Sequence, residues 1–266
     1  MAINYQLHKV IQTLPEPHMW EWSELVVRTF LTTFAKYIPA GDAVDLGANI
    51  GKHSWTLGEI VKRTNNTLIS VEPDPRNYQI IERYIQSSNW FKMEIIKQPI
   101  SDTNKDVYFF KDDVTELNRI VTEKQYNSVI MTSVTLDDIS KGYQPKFIKV
   151  DVEGQEINVV KGGQLTIIKN RPIIATEYGP RLYSQEDKKW YYDFFKNQNY
   201  IFLDLFGNEF TEDEWLNHHQ RYWNRFLIPE EYSYIIPTFK SNLNVLYSLF
   251  NLDDYEDFLA KDVEDL

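Results

Sequence analysis

The chain has 266 residues, 42% of them hydrophobic and 15% aromatic, which is enough for a sizeable core and too apolar for a disordered chain. Its formal charge is −11 with no stripe of lysine and arginine, which argues against DNA or long RNA as a partner. Cysteine is absent, so disulfides, thiol nucleophiles and Cys-ligated zinc are excluded.

The opening residues, Met1 to Gln6, lack the basic start and apolar stretch of a signal peptide. No apolar run approaches the ~20 residues needed to span a bilayer, so a cytoplasmic protein without a membrane span is expected. Residues 1–40 read as a helical cap, with Leu25, Val26, Thr29 and Phe30 forming an apolar stripe that stops before Pro39. Short β-rich runs then alternate with amphipathic helices. Strands are expected at 43–46, 67–72 and 91–100, with helices at 52–63 and 76–87 between them. Residues 105–134 are less regular, with strands expected at 107–110 and 128–131. A strand at 147–151, a helix from Gln155, a strand at 172–177, a helix around 184–197 and a strand at 200–205 follow. The tail from Leu243 reads as a helix with Leu246, Leu249 and Phe250 on one face.

Strands alternating with crossover helices indicate an α/β fold with a parallel sheet covered on both faces. Ligands in such sheets sit beyond the carboxyl ends of the strands. The residues at those ends are Asp45, Glu72, Asp102, Asp151 and Glu177, all acidic. One carboxylate there is ordinarily a loop or cap residue; five together suit a ligand with hydroxyl and cationic groups.

Asp45-Leu46-Gly47-Ala48-Asn49-Ile50-Gly51 follows a strand and opens a helix. Gly47 and Gly51 allow a sharp turn and a close backbone approach, and Asn49 tolerates unusual backbone angles. The helix start suits an anion such as a carboxylate. The glycine spacing is not that of a dinucleotide fingerprint, because Asn49 and Lys52 replace the second and third glycines. Glu72 has the acceptors to bind a ribose diol. The loop and Glu72 together point to nucleoside binding.

These residues resemble the FkbM-type methyltransferases. The resemblance runs through Val44–Gly51, Val71–Asn77, Thr135–Ile139, Phe147–Glu156, Lys161-Gly162-Gly163 and Pro172-Ile173-Ile174, in that order. It implies a seven-stranded, class I, Rossmann-like methyltransferase sheet with a final antiparallel strand near Arg225–Ile228, flanked by extra terminal helices. The domain reading becomes a cap at 1–40, a methyltransferase domain at 41–230 and a helical extension at 231–266. The implied cofactor is S-adenosylmethionine (SAM). Asp45, Gly47, Ala48, Asn49, Gly51 and Ser54 would hold its methionine end. Glu72 would bind the ribose hydroxyls, Asp102 would face the adenine amino group, and Asp151 would lie near the sulfonium, with Pro73 and Ser101 as further cofactor-binding candidates.

Methyl transfer to an alcohol needs alignment and benefits from a base. Glu153 and Glu177 are the first candidates, with Asp151 and His53 as alternatives. Glu153 and Glu156 fit equally well as caps of the following helix. Asp151, Glu153 and Glu177 have the chemistry to share a divalent cation, though nothing in the sequence requires a metal. His218 and His219 are adjacent and do not form an i, i+4 metal pair.

Arg181, Trp215, Tyr222 and Trp223, with His218, His219, Arg221 and Arg225 nearby, are the acceptor-binding candidates, since aromatic faces suit sugar rings. Trp20 and Trp22, beside His18, are candidates for a lid. The expected function is methyl transfer to a hydroxyl of a sugar, glycan or glycosylated small molecule. The alternatives are a ribose O-methyltransferase on RNA and a SAM-binding scaffold without turnover. A homodimer is compatible with the tail helix, and the sequence does not choose an oligomeric state.

Overall fold

The computed structural model describes residues 16–217 and 223–249. Helix α1 (Glu16–Phe34) leads into strand β1 (Asp42–Leu46), α2 (Lys52–Lys62), β2 (Thr67–Val71), α3 (Pro75–Tyr84) and β3 (Lys92–Ile96). A small unit of β4 (Asp106–Phe110), β5 (Arg119–Val121) and β6 (Ser128–Thr132) follows. The chain then forms α4 (Leu136–Ile139), β7 (Pro145–Val150), α5 (Glu156–Lys161), α6 (Gln164–Asn170), β8 (Ile173–Glu177) and α7 (Gln185–Asn197). It ends with β9 (Tyr200–Leu203), α8 (Glu212–Asn217), β10 (Asn224–Pro229) and α9 (Ile236–Leu249).

Seven strands make one sheet in the order β3-β2-β1-β7-β8-β10-β9. Strands β3, β2, β1, β7 and β8 run parallel, and β10 lies antiparallel between β8 and β9. This is the class I methyltransferase sheet that the family resemblance implies, with its antiparallel strand where the resemblance places it. The central strands are apolar on both faces because helices cover both, and all five residues of β1 are buried.

Each face has its own core. On one side Phe30 and Phe34 of α1, Leu57 of α2 and Phe239 of α9 pack against Phe226 and Phe147. Phe30 stacks on Phe226 with ring centroids 4.0 Å apart. On the other side Val159 of α5, Tyr191 and Phe195 of α7 and Trp215 of α8 cover Val44, Ile148 and Ile174. Burial of each such large apolar side chain stabilises by about 2–3 kcal/mol. Among the described residues, no helix is long and apolar enough to cross a membrane.

Local chemistry fixes the element ends. Asp74 caps α3 by accepting the Arg76 N–H at 2.8 Å, and Pro75 occupies the first turn, where no N–H is needed. Ser184 caps α7 through the Asp187 N–H at 3.1 Å.

Four expectations are corrected. The third strand ends at Ile96, before Pro99, and the helix before it, expected at 76–87, ends at Tyr84. The helix from Gln155 is two helices broken at Gly162-Gly163. A side chain at Gly162 would come 2.5 Å from the Ser101 carbonyl, and one at Gly163 2.5 Å from Leu136. The strand from Tyr200 ends at Leu203.

The segment between β3 and β7 holds a separate antiparallel sheet, β5-β4-β6, where a crossover helix would be the ordinary connection. Its base is closed by an Ile100–Val134 bridge, with the Ser101 N–H donating to the Val134 carbonyl at 2.9 Å. We call this unit the roof.

Candidate functional site

A cleft of about 200 Å³ opens at the carboxyl ends of the parallel strands. Its floor is the loop between β1 and α2. The Gly47 and Ala48 N–H groups both donate to the Val71 carbonyl at 3.0 Å, and the Gly51 N–H returns to the Ala48 carbonyl at 2.8 Å. Gly47 has φ 76° and its Cβ would fall 1.7 Å from the Asp151 carbonyl oxygen, so only glycine fits there.

Glu72, at the end of β2, is 5% exposed and lines the cleft. Its Oε2 accepts the Asn49 N–H at 2.9 Å and its Oε1 the Asp74 N–H at 2.8 Å. Burial pushes the carboxyl up to about 7. Each oxygen retains a second acceptor direction. Asn49 Oδ1 is buried with no partner among the described residues, which leaves a further acceptor for a ligand donor.

The apolar walls beside Glu72 come from Pro73, Pro99 and Ile100 and from Phe109 and Ile120 of the roof. A latch holds the roof to the loop after β2. Arg76 Nη2 donates to Asp74 Oδ2 at 2.7 Å and to the Asp112 carbonyl at 2.7 Å, and Asn118 Nδ2 donates to Asp74 Oδ2 at 2.8 Å. Asp74 is buried, yet Arg76 beside it keeps its carboxyl below the ordinary range.

The other end of the cleft lies over β7 and β8. Lys149 Nζ, 5% exposed, donates to Asp151 Oδ2 at 2.7 Å. Burial opposes charge on Asp151, but Lys149 and a hydrogen bond with Glu177 hold its carboxyl low. Glu177 is pushed well up by burial and by the charge of Asp151, so it keeps the proton of that pair. Glu153 is raised to about 7 by burial and by the charges of Asp151 and Glu156. Asp151, Glu153 and Glu177 each offer an oxygen within 4.8 Å of the others, a spacing that would suit a cation; Lys149 already places a positive charge on Asp151.

Glu153 takes φ 49°, unusual for a side-chain-bearing residue, and Gly154 follows at φ 88°. Glu156 shapes this turn. Its Oε1 accepts the Val152 and Gly154 N–H groups at 3.2 Å each, and the Tyr183 hydroxyl donates to its Oε2. Capping of the turn therefore belongs to Glu156, while Glu153 lines the cleft.

The cleft brings together Gly47, Ala48, Asn49, Glu72, Pro73, His53, Asp151, Glu153 and Glu177 of the residues singled out in the sequence. Others sit elsewhere. Asp45 is fully buried behind the loop, where the Ser54 hydroxyl donates to its Oδ2 at 2.6 Å and also meets Ser70 at 2.9 Å. Gly51 caps α2, with a Cβ position 2.4 Å from Ile85. Ser101 donates to Asp102, and Asp102 pairs with Lys105 at 2.7 Å, beside the base of the roof and not lining the cleft.

The expected acceptor cluster does not form at the cleft among the described residues. Trp215 is fully buried, stacked on Tyr178 at 4.4 Å, because α8 packs its aromatic face into the core. Arg225 is also fully buried, its guanidinium 4.5 Å from the Phe210 ring centre and 5.2 Å from that of Trp215. Arg181 is exposed in the turn after β8, and the Trp223 carbonyl pairs with Tyr178. Tyr222, with His218, His219 and Arg221, lies outside the described residues. Trp22 packs on Phe206 in the core, so it is no lid. Cleft residues that the sequence reading missed are Glu24 of α1 and Thr115, Asn118 and Arg119 of the roof.

The methyltransferase FkbM domain family matches residues 45–209. No curated protein matches the chain. Among solved structures, a methyltransferase FkbM from Methylobacillus flagellatus KT is similar at 19% identity and a TM-score of 0.47; the match covers 71% of this chain and 43% of that longer one. A putative rRNA-methylase from Clostridium thermocellum is similar at 11% identity, with 74% and 89% covered and a TM-score of 0.42. The plantazolicin methyltransferase BpumL, in complex with SAH, is similar at 8% identity, with 84% and 95% covered and a TM-score of 0.36.

Proposed function

The chain belongs to the FkbM methyltransferase family, and on that premise we propose that it transfers the methyl group of SAM to a hydroxyl oxygen of a small, sugar-like acceptor. One observation carries the reading. A buried carboxylate held by two loop N–H groups stands at one end of the cleft, and three carboxyl groups gather at the other.

The donor set fits the cofactor. Glu72 has spare acceptor positions for ribose hydroxyls, and the partnerless Asn49 Oδ1 is placed for an ammonium or hydroxyl donor. Pro99, Ile100, Phe109 and Ile120 offer apolar surface for a flat ring. The charge of Asp151 suits a sulfonium nearby. When bound, SAM supplies an electrophilic methyl group on a good leaving group.

The residues of this chain then have two tasks. The roof and loop exclude water and hold the acceptor oxygen in line with the methyl carbon, which is a large part of catalysis for such a displacement. Glu153 takes the proton that leaves the hydroxyl as the new O–C bond forms. Its ordinary value raised to about 7 makes it a better base than a solvated carboxylate and leaves it partly ionised at neutral pH. Glu177 keeps its own proton on the hydrogen bond to Asp151, so it is the poorer base.

The test is calorimetric titration of SAM and S-adenosylhomocysteine (SAH) into the wild type and Glu72→Ala. Transfer of labelled methyl to free hexoses, methyl glycosides and glucosamine follows. Saturable binding that Glu72→Ala weakens roughly tenfold or more is expected, from the loss of charged hydrogen bonds. If neither ligand binds the wild type, the reading is wrong.

A further inference from the structure

Glu24 stands on α1, before the segment that matches the family, yet it lines the cleft. Its Oε2 lies 2.8 Å from His53 Nε2, at the first turn of α2. His53 is 4% exposed and lines the same cleft; both of its ring nitrogens are buried without a well-aligned hydrogen bond among the described residues, Nε2 with the Glu24 Oε2 close beside it and Nδ1 with no ion-pair neighbour. The charged groups facing this pair are Lys149 and Asp151, which place it at the β7 end, away from Glu72. Although burial pushes the Glu24 carboxyl up, His53 beside it holds it below its ordinary value, so the carboxylate is charged.

A charged carboxylate 2.8 Å from Nε2 favours a proton on that nitrogen over a lone pair facing it. In the neutral ring Nδ1 must then be the lone-pair nitrogen, since imidazole carries one N–H. An acceptor nitrogen buried at the wall of a ligand cleft calls for a donor, and a hydroxyl of the methyl acceptor is a donor of the right kind.

We propose that Glu24 is a positioning residue of the acceptor site: through Nε2 it fixes the His53 tautomer, and Nδ1 receives a hydrogen bond from a hydroxyl of the acceptor. The assignment rests on the methyltransferase reading and goes beyond it. It makes the N-terminal helix, which lies outside the family's matched segment, a determinant of which sugar is taken. The carboxylates supply the base; His53 and Glu24 supply the grip.

The experiment uses the full chain with 15N-labelled histidine, bound to SAH at pH 8, with the His53 signals assigned by His53→Gln. His53 is expected in the Nε2–H tautomer, and Glu24→Gln should mix the two tautomers without lowering the melting temperature. With the best acceptor of the hexose panel, Glu24→Gln and His53→Gln should each raise the acceptor KM about tenfold, while SAH affinity stays within about twofold. The double variant should be no worse than His53→Gln, and Glu24→Asp should restore part of the loss. An Nδ1–H tautomer in the wild type, losses that add in the double variant, or SAH affinity falling together with acceptor affinity would each overturn the proposal. Absence of SAH binding to the wild type is a different failure, because it removes the parent reading whatever the tautomer.

Discussion

Glu153 occupies a left-handed backbone position, and strain of this kind costs on the order of 1–3 kcal/mol, so it persists only where the surroundings enforce it. Glu156 does the enforcing, through two N–H groups of the same turn. If Glu153 is the base, it must be ionised to act. The rate of methyl transfer should therefore rise with pH through about 7 and level off above it. Glu153→Gln should abolish that limb and lower kcat by about 10²–10⁴-fold, with SAH affinity unchanged; a variant of full activity contradicts the assignment. The same group bears on stability. Glu72, Glu153 and Glu156 are raised to about 7 in the folded protein, against an ordinary 4.5. Between those values the native state binds more protons than the unfolded chain, so stability should fall as pH rises across that window. The lowered acids, such as Asp74 and Asp187, are fully ionised in both states there and do not compensate. The melting temperature of the ligand-free protein should be lower at pH 8 than at pH 5.5, and an increase would show these carboxyls to be ordinary. Glu72, Asp151, Glu153 and Glu177 were legible because acids following apolar strands are conspicuous. Glu24 was not, since it stands beside the apolar stripe of a helix whose route to the cleft only the fold reveals.

The strands of the main sheet could be read because they are buried on both faces and therefore nearly continuous in apolar character. Those of the roof could be located in part but not assigned to a sheet. Strands β4, β5 and β6 are half-exposed, and their polar positions dilute the pattern. The latch explains how so thin a unit keeps its place. Arg76, Asp74 and Asn118 join the loop that carries Glu72 to the segment between β4 and β5. Arg76→Ala should loosen the roof and also lower the melting temperature, because it leaves the buried Asp74 carboxylate without its cation. Hydrogen exchange should speed up over residues 106–121, and SAH should bind roughly tenfold more weakly if the roof walls the nucleoside. Unchanged exchange in that segment would remove the latch from the account.

The family match begins at Asp45 and ends at Glu209, but the molecule does not. Strand β10, which joins β8 to β9, lies beyond it, as do α1 and α9, which fill one face of the core. In the sequence, residues 1–40 read as a helical cap. The packing of Phe30 against Phe226 and Phe239 makes α1 part of the same core as the sheet. Deleting residues 1–40 would expose Phe226, Phe239 and their neighbours, a loss of several large side-chain burials at about 2–3 kcal/mol each. That exceeds the margin of a typical domain. The truncated chain should be insoluble or molten by near-ultraviolet circular dichroism; a cooperative melt near that of the whole chain would show the cap to be dispensable.

The neck of the roof, where Ile100 meets Val134, brings the two ends of a long excursion side by side. A segment that leaves and re-enters at one point can lengthen, shorten or be exchanged at little entropic cost to what it leaves behind. Descendants of this chain could thus graft a different roof onto an unaltered sheet and keep the carboxylates in register.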